Sequence, residues 1–148
     1  LIDGDSASLA EVCALISAIA DIPITQSLAV TGSINQHGQV QAIGGVNEKI
    51  EGFFRLCQSR GLTGKQGCII PASNQLNLVL NDEVIKAVEQ GQFHIYVVKG
   101  VDEALELLMD MPAGERNSKG QYPKRTINYL ALRRLEEIAE IVNGSSDS

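Results

Sequence analysis

Residues 7–20, ASLAEVCALISAIA, have almost no polar face. Leu9, Val12, Cys13, Ile16, Ile19 and Ala20 recur at helical spacing, with alanines between them. A helix of that composition needs cover on most sides, because uncovered it would offer water a wide apolar surface. The rest of the chain must therefore supply layers around it. With 148 residues and 44% apolar content, it has material for one ordinary core.

The segments that follow alternate in character. DIP (21–23) stops the first helix. SLAVTG (27–32) and GQVQAIG (38–44) are short β-rich runs separated by SINQH, which predicts a hairpin or a neighbouring pair of strands. Val46 to Arg60 predicts a helix ended by Gly61. GCIIP (67–71) reads as a strand that Pro71 terminates. A helix is expected from about Leu76 to Gln90 with a restart at Asn81-Asp82, then a strand in FHIYVV (93–98) and a helix in VDEALELLM (101–109). Alternation alone gives an α/β or α+β class with a mixed sheet. PAGERNSKGQYPKR (112–125) is turn-rich and charged, and reads as a linker after a domain of residues 1–111. Ile127, Leu130, Ala131, Leu135, Ile138 and Val142 then mark an amphipathic helix over 126–143, closed by Gly144, with a polar tail over 144–148.

The net charge of -6 argues against a general nucleic-acid binder and against attraction to an anionic membrane surface. No apolar run reaches the roughly 18 residues of a spanning helix, and no signal peptide is visible. Leu1 is not a start methionine, so a piece of a longer protein is expected. Cys13, Cys57 and Cys68 form no C-x-x-C pair and read as buried, reduced thiols of a cytosolic protein. His37 and His94 have no carboxylate at ligand spacing, which disfavours a metal site.

Two stretches carry candidate chemistry. In DGDSAS (3–8), Asp5, Ser6 and Ser8 are all good N-caps, and Ser8 to Glu11 is a capping box. The same helix start points N–H groups outward and favours negative charge, which an oxyanion hole also requires. A serine there still needs a base. An S-x-x-K arrangement fails, since Leu9 follows Ser6 at that spacing and Glu11 follows Ser8.

The second stretch is GGVNEKIEGFFRLCQSR (44–60). On a helical wheel Leu56, Phe53, Val46, Cys57, Ile50 and Phe54 share one arc, and Lys49 falls between Leu56 and Phe53. A lysine there either snorkels to the rim, the commoner outcome, or is kept from water. Desolvation disfavours the charged form, and a neutral amine is a usable general base. Gly44-Gly45 reads as a tight strand-to-helix turn, since no G-x-x-x-x-G-K-[ST] phosphate loop is present.

Together DGDSA (3–7), AVTGSINQHGQVQAIGGVNEK (29–49) and GCIIPASN (67–74) resemble the proteolytic domain of the Lon family of ATP-dependent serine proteases. In that family a serine in a D-G-[DP]-S-A motif pairs with a lysine in a G-G-x-x-E-K motif. The resemblance implies that Ser6 is the nucleophile and Lys49 the general base. Thr31, in the family's T-G motif, would be the hydroxyl that holds the lysine, and Asp3 would be a supporting acidic group. GDSAS is closer to the B-type and Lon-related branch than to the common bacterial type.

The likeness covers roughly residues 1–110, with the strand ahead of the serine cut down to Leu1-Ile2. It implies an α+β fold with mixed sheets and packed helices, like the second domain of a ribosomal small-subunit protein. The implied activity is a serine endopeptidase acting on unfolded or damaged proteins through a Ser-Lys dyad. No metal or organic cofactor would be needed, and ATP would belong to a separate module outside this chain. A cytoplasmic hexameric ring with polypeptide substrates is implied, without nucleic acid or membrane. The alternative is a non-proteolytic Lon-like domain of a recombination-associated ATPase, used for assembly or DNA handling. The presence of both Ser6 and Lys49 and the acidic charge favour the protease.

Overall fold

The structure, a computed structural model, describes residues 7–146. In chain order its elements are β1 (Ala7–Ser8), α1 (Leu9–Ala20), β2 (Leu28–Val30), β3 (Ser33–Ile34), β4 (Val40–Gln41), α2 (Val46–Arg60) and β5 (Gly67–Pro71). A 3-10 turn (Ala72–Asn77) follows, then α3 (Asp82–Glu89), β6 (His94–Val98), α4 (Val101–Met109) and α5 (Ile127–Ser146). The class is α+β.

Two three-stranded sheets organise the described residues. One is wholly parallel, in the order β2-β5-β6, and the other wholly antiparallel, in the order β1-β3-β4. The mixture expected from sequence is therefore between sheets. The parallel sheet is covered on both faces, as such sheets generally are. Cys68 and Ile70 of β5 pack with Val46, Ile50, Phe54 and Cys57 of α2, Val84 and Ala87 of α3, and Phe93. Ile69 of β5 points to the opposite face, among Leu9 and Cys13 of α1, Ala104, Leu105 and Leu108 of α4, and Ile127. Alternation along one strand thus divides the core into two layers.

The hairpin is displaced from its expected place. β2 does not pair with β4. It runs parallel to β5, with Leu28 opposite Gly67 and Val30 opposite Ile69. The turn is closed one segment later, where Ser33 and Ile34 face Gln41 and Val40. Asn35 shapes it, its Oδ1 accepting from the His37 and Gln39 N–H groups at 2.9 and 3.1 Å. The helix expected from Leu76 begins only at Asp82. Asn81 caps it by accepting from the Val84 N–H at 3.0 Å, and the stretch ahead is a 3-10 turn instead.

α1 is less enclosed than its composition suggests. Leu9 and Cys13 are buried, but Leu15 is 60% exposed, because cover comes from the sheet side and from the start of α5. α5 runs through Gly144 rather than stopping there. Ile127 is fully buried and Leu130 half-buried, whereas Leu135, Ile138, Ile141 and Val142 are exposed, so burial is concentrated at the beginning of the helix.

All three cysteines are free and buried. Burial pushes the Cys13 thiol up to about 11 and the Cys68 thiol up to about 12, from an ordinary 9.0. Above about pH 9 an unfolded chain loses these protons while the folded chain keeps them, so deprotonation favours unfolding. These thiols should not affect stability below pH 9, and should lower it progressively between about 9 and 12. Between about pH 9 and 10 the two together should cost about 2 kcal/mol. Urea midpoints across that range should fall less steeply in a Cys13→Ala/Cys68→Ala variant. Equal slopes would remove the thiols from the account.

Candidate active site

The start of α1 is tied down by two of its own donors. The Leu9 N–H donates to the Gly32 carbonyl at 3.1 Å, and the Glu11 N–H donates to Ser8 Oγ at 3.4 Å. Ser8 is thus the N-cap, as the capping box predicts. It also belongs to β1, where Ser8 faces Ser33 and Ala7 faces Ile34. Ser6 and Asp3 lie outside the described residues.

Thr31 directly follows β2 and is buried. Its N–H and its hydroxyl both donate to the Ile69 carbonyl, at 3.0 and 2.9 Å. With its proton committed there, Oγ1 can only accept from any further partner. Gly32 beside it has φ +114, and a Cβ there would meet Pro71 Cγ at 2.9 Å. The T-G pair needs glycine for both reasons, since side chains other than glycine rarely adopt that φ and the space is filled.

Lys49 sits in the first turn of α2, where its N–H makes a helical bond to the Gly45 carbonyl at 3.1 Å. Gly45 is the N-cap in a left-handed conformation, φ 72, so Gly44-Gly45 is the tight turn expected. Lys49 itself is exposed. The helical wheel placed it inside an apolar arc, and that placement needs correction. The buried side of α2 is centred on Val46, Ile50, Phe54 and Cys57, while Leu56 is 46% exposed and Phe53 only half-buried. Lys49 shares the outward flank with Leu56. Its ammonium makes no hydrogen bond or ion pair among the described residues, and none to Thr31.

Two residues that sequence reading passed over hold the turn ahead of Lys49. Asn74 and Asn47 bond side chain to backbone between the segments 43–47 and 74–79. The available signal was a polar residue three positions after a fully buried strand, in PASN. Among the described residues no group of His, Cys, Asp and Glu could hold a metal ion, and no helix is long and apolar enough to cross a membrane.

Residues 2–111 match the family described as the Lon protease C-terminal proteolytic domain. A Lon protease homolog of Escherichia coli is 59% identical over 110 residues, covering 74% of this chain and 19% of that protein. A Lon protease homolog of Haemophilus influenzae is 50% identical over 139 residues, covering 94% of this chain and 23% of that protein. An archaeal Lon protease of Methanocaldococcus jannaschii is 40% identical over 110 residues, with 74% and 14% covered. The chain belongs to the Lon protease family and corresponds to its proteolytic domain. It spans about a fifth of the length of the two bacterial relatives. The Haemophilus match continues past residue 111, where the family match stops, and takes in part of α5.

Proposed function

We propose that the chain is the peptide-hydrolysing part of a serine endopeptidase in which Ser6 is the nucleophile and Lys49 the general base. The observation that supports this most directly is the Leu9–Gly32 hydrogen bond at 3.1 Å. It fixes the start of α1 against the residue next to Thr31, so the segment carrying Thr31 and the helix that follows the Ser6 motif are held together. The Lys49 amine takes the proton from Ser6 Oγ, which attacks the peptide carbonyl and forms a tetrahedral oxyanion. Collapse expels the amine, which receives that proton from Lys49. Water then attacks the acyl-enzyme with Lys49 again as base, releasing the acid and Ser6.

Thr31 Oγ1, able only to accept, accepts a hydrogen bond from one amine N–H and thereby turns the nitrogen lone pair toward Ser6. The Leu9 and Glu11 N–H groups are already engaged, so the oxyanion donors are other N–H groups around the start of α1. Asp3 supports that segment. The substrates are unfolded or damaged polypeptides, delivered in the cytoplasm by an ATP-driven module outside this chain, in a ring of six subunits.

Ser6→Ala in the full-length protein should abolish casein hydrolysis without loss of fold, since Ser8 remains as the cap. A folded Ser6→Ala protein that still cleaves casein would place the nucleophile elsewhere.

A further inference from the structure

We propose that Asn74 and Asn47 are positioning residues that set the place of Lys49, an inference that rests on Lys49 being the base. Asn74 is 2% exposed. Its Oδ1 accepts from the Ile43 N–H at 2.9 Å and its Nδ2 donates to the Ile43 carbonyl at 3.0 Å. One side chain thus serves Ile43 as a neighbouring strand would. Asn47, in the first turn of α2, does the reverse. Its Nδ2 donates to the Asn77 carbonyl at 2.9 Å and its Oδ1 accepts from the Val79 N–H at 2.8 Å. Gly44 and Gly45 lie between the two asparagines, so the turn is gripped on both sides by the same segment, 74–79.

The need for such a grip follows from what the turn lacks. Two glycines leave the backbone there with the greatest freedom, and α2 begins without a side-chain cap. The Lys49 ammonium forms no hydrogen bond or ion pair among the described residues, so its position comes from the backbone of that first turn. Each amide spends one donor and one acceptor on backbone groups, and Asn74 Nδ2 also donates to Asn77 Oδ1 at 3.5 Å. Their contribution to the reaction is geometric: they keep the base from drifting relative to β5, which ends three residues before Asn74. A displacement of about 1 Å in a reacting group can cost roughly a hundredfold in rate.

The test uses the full-length protein, a fluorogenic peptide and four variants: Asn74→Ala, Asn47→Ala, Lys49→Met and Asn74→Ala/Lys49→Met. Asn74→Ala should lower kcat about ten- to a hundredfold with KM nearly unchanged. Asn47→Ala, whose bonds are exposed, should shift kcat the same way by a smaller factor and keeps the test open if Asn74→Ala does not fold. In the Lys49→Met background, acylation of Ser6 by an activated ester should be no slower with Asn74→Ala than without it, because there is no amine left to position. A purely structural role would slow both backgrounds by the same factor, which would overturn the proposal. So would unchanged kcat in both folded single variants. Normal turnover by Lys49→Met would instead remove the base itself, a result separate from failure of the asparagine grip.

Discussion

Lys49→Arg should abolish peptide hydrolysis and leave the fold as it is. Arginine keeps a cation on a long stem, and arginine and lysine have nearly equal helix propensity. Lys49 is exposed in the first turn of α2, so the larger head meets no packed neighbour, and the change in stability should stay within about 0.5 kcal/mol. A guanidinium cannot give up its proton at working pH. The loss should be of the order expected for a missing general base, about 10²–10⁴-fold. Lys49→Met is the companion variant, since it keeps a flexible stem and removes the amine. It should be as inactive as Lys49→Arg, which separates loss of the base from distortion by bulk. Turnover of a fluorogenic peptide by the full-length protein gives the measurement, with thermal melts as the control for folding. Normal turnover by Lys49→Arg would end the Ser-Lys reading, whatever the motifs imply.

Two glycine-to-alanine substitutions should change stability in opposite directions. Gly67 opens the central strand β5, between Leu28 of β2 and His94 of β6. A Cβ there would run into the His94 carbonyl oxygen and lie 3.1 Å from both its carbon and the His94 Cβ. The obstacle is backbone of the adjacent strand, which can yield only by opening the sheet. Gly67→Ala should therefore cost about 3 kcal/mol, at the upper end for overpacking. Gly52, inside α2, has nothing within 4 Å of its Cβ position, and alanine there should gain close to 1 kcal/mol from helix propensity. Urea midpoints of the two variants should bracket wild type. A Gly67→Ala chain as stable as wild type would contradict the described register of β5 on β6.

The elements legible in the sequence were those whose signal is local. VDEALELLM forms a helix at the expected residues, HIYVV and GCIIP form strands, and Gly61 ends α2. What escaped was pairing between distant segments. Nothing near Leu28–Val30 in sequence says that its partner is Gly67–Ile69 rather than Val40–Gln41, because parallel pairing is set by the crossover helix and the layers it must cover. The position of Lys49 failed for a related reason. A wheel shows which residues share a side but not which flank of that side has a neighbouring layer, and the flank with Leu56 has none among the described residues. Thr31 and Lys49 were visible through their motifs. Asn74 and Asn47 were not, since side chains that bond to backbone have no periodicity to betray them.

The bond between Thr31 and Ile69 also imposes an order on events during synthesis. The two residues are 38 apart in the chain, and Ile69 is made last. At roughly 5–20 residues per second, Thr31 waits about 2–8 seconds for the carbonyl that receives its hydroxyl proton. Ser6 and Lys49 are both made before that carbonyl exists. On the ribosome the Thr31 hydroxyl is therefore present while the strand that accepts from it is not, and the growing chain carries the groups proposed for the reaction before the sheet that fixes Thr31.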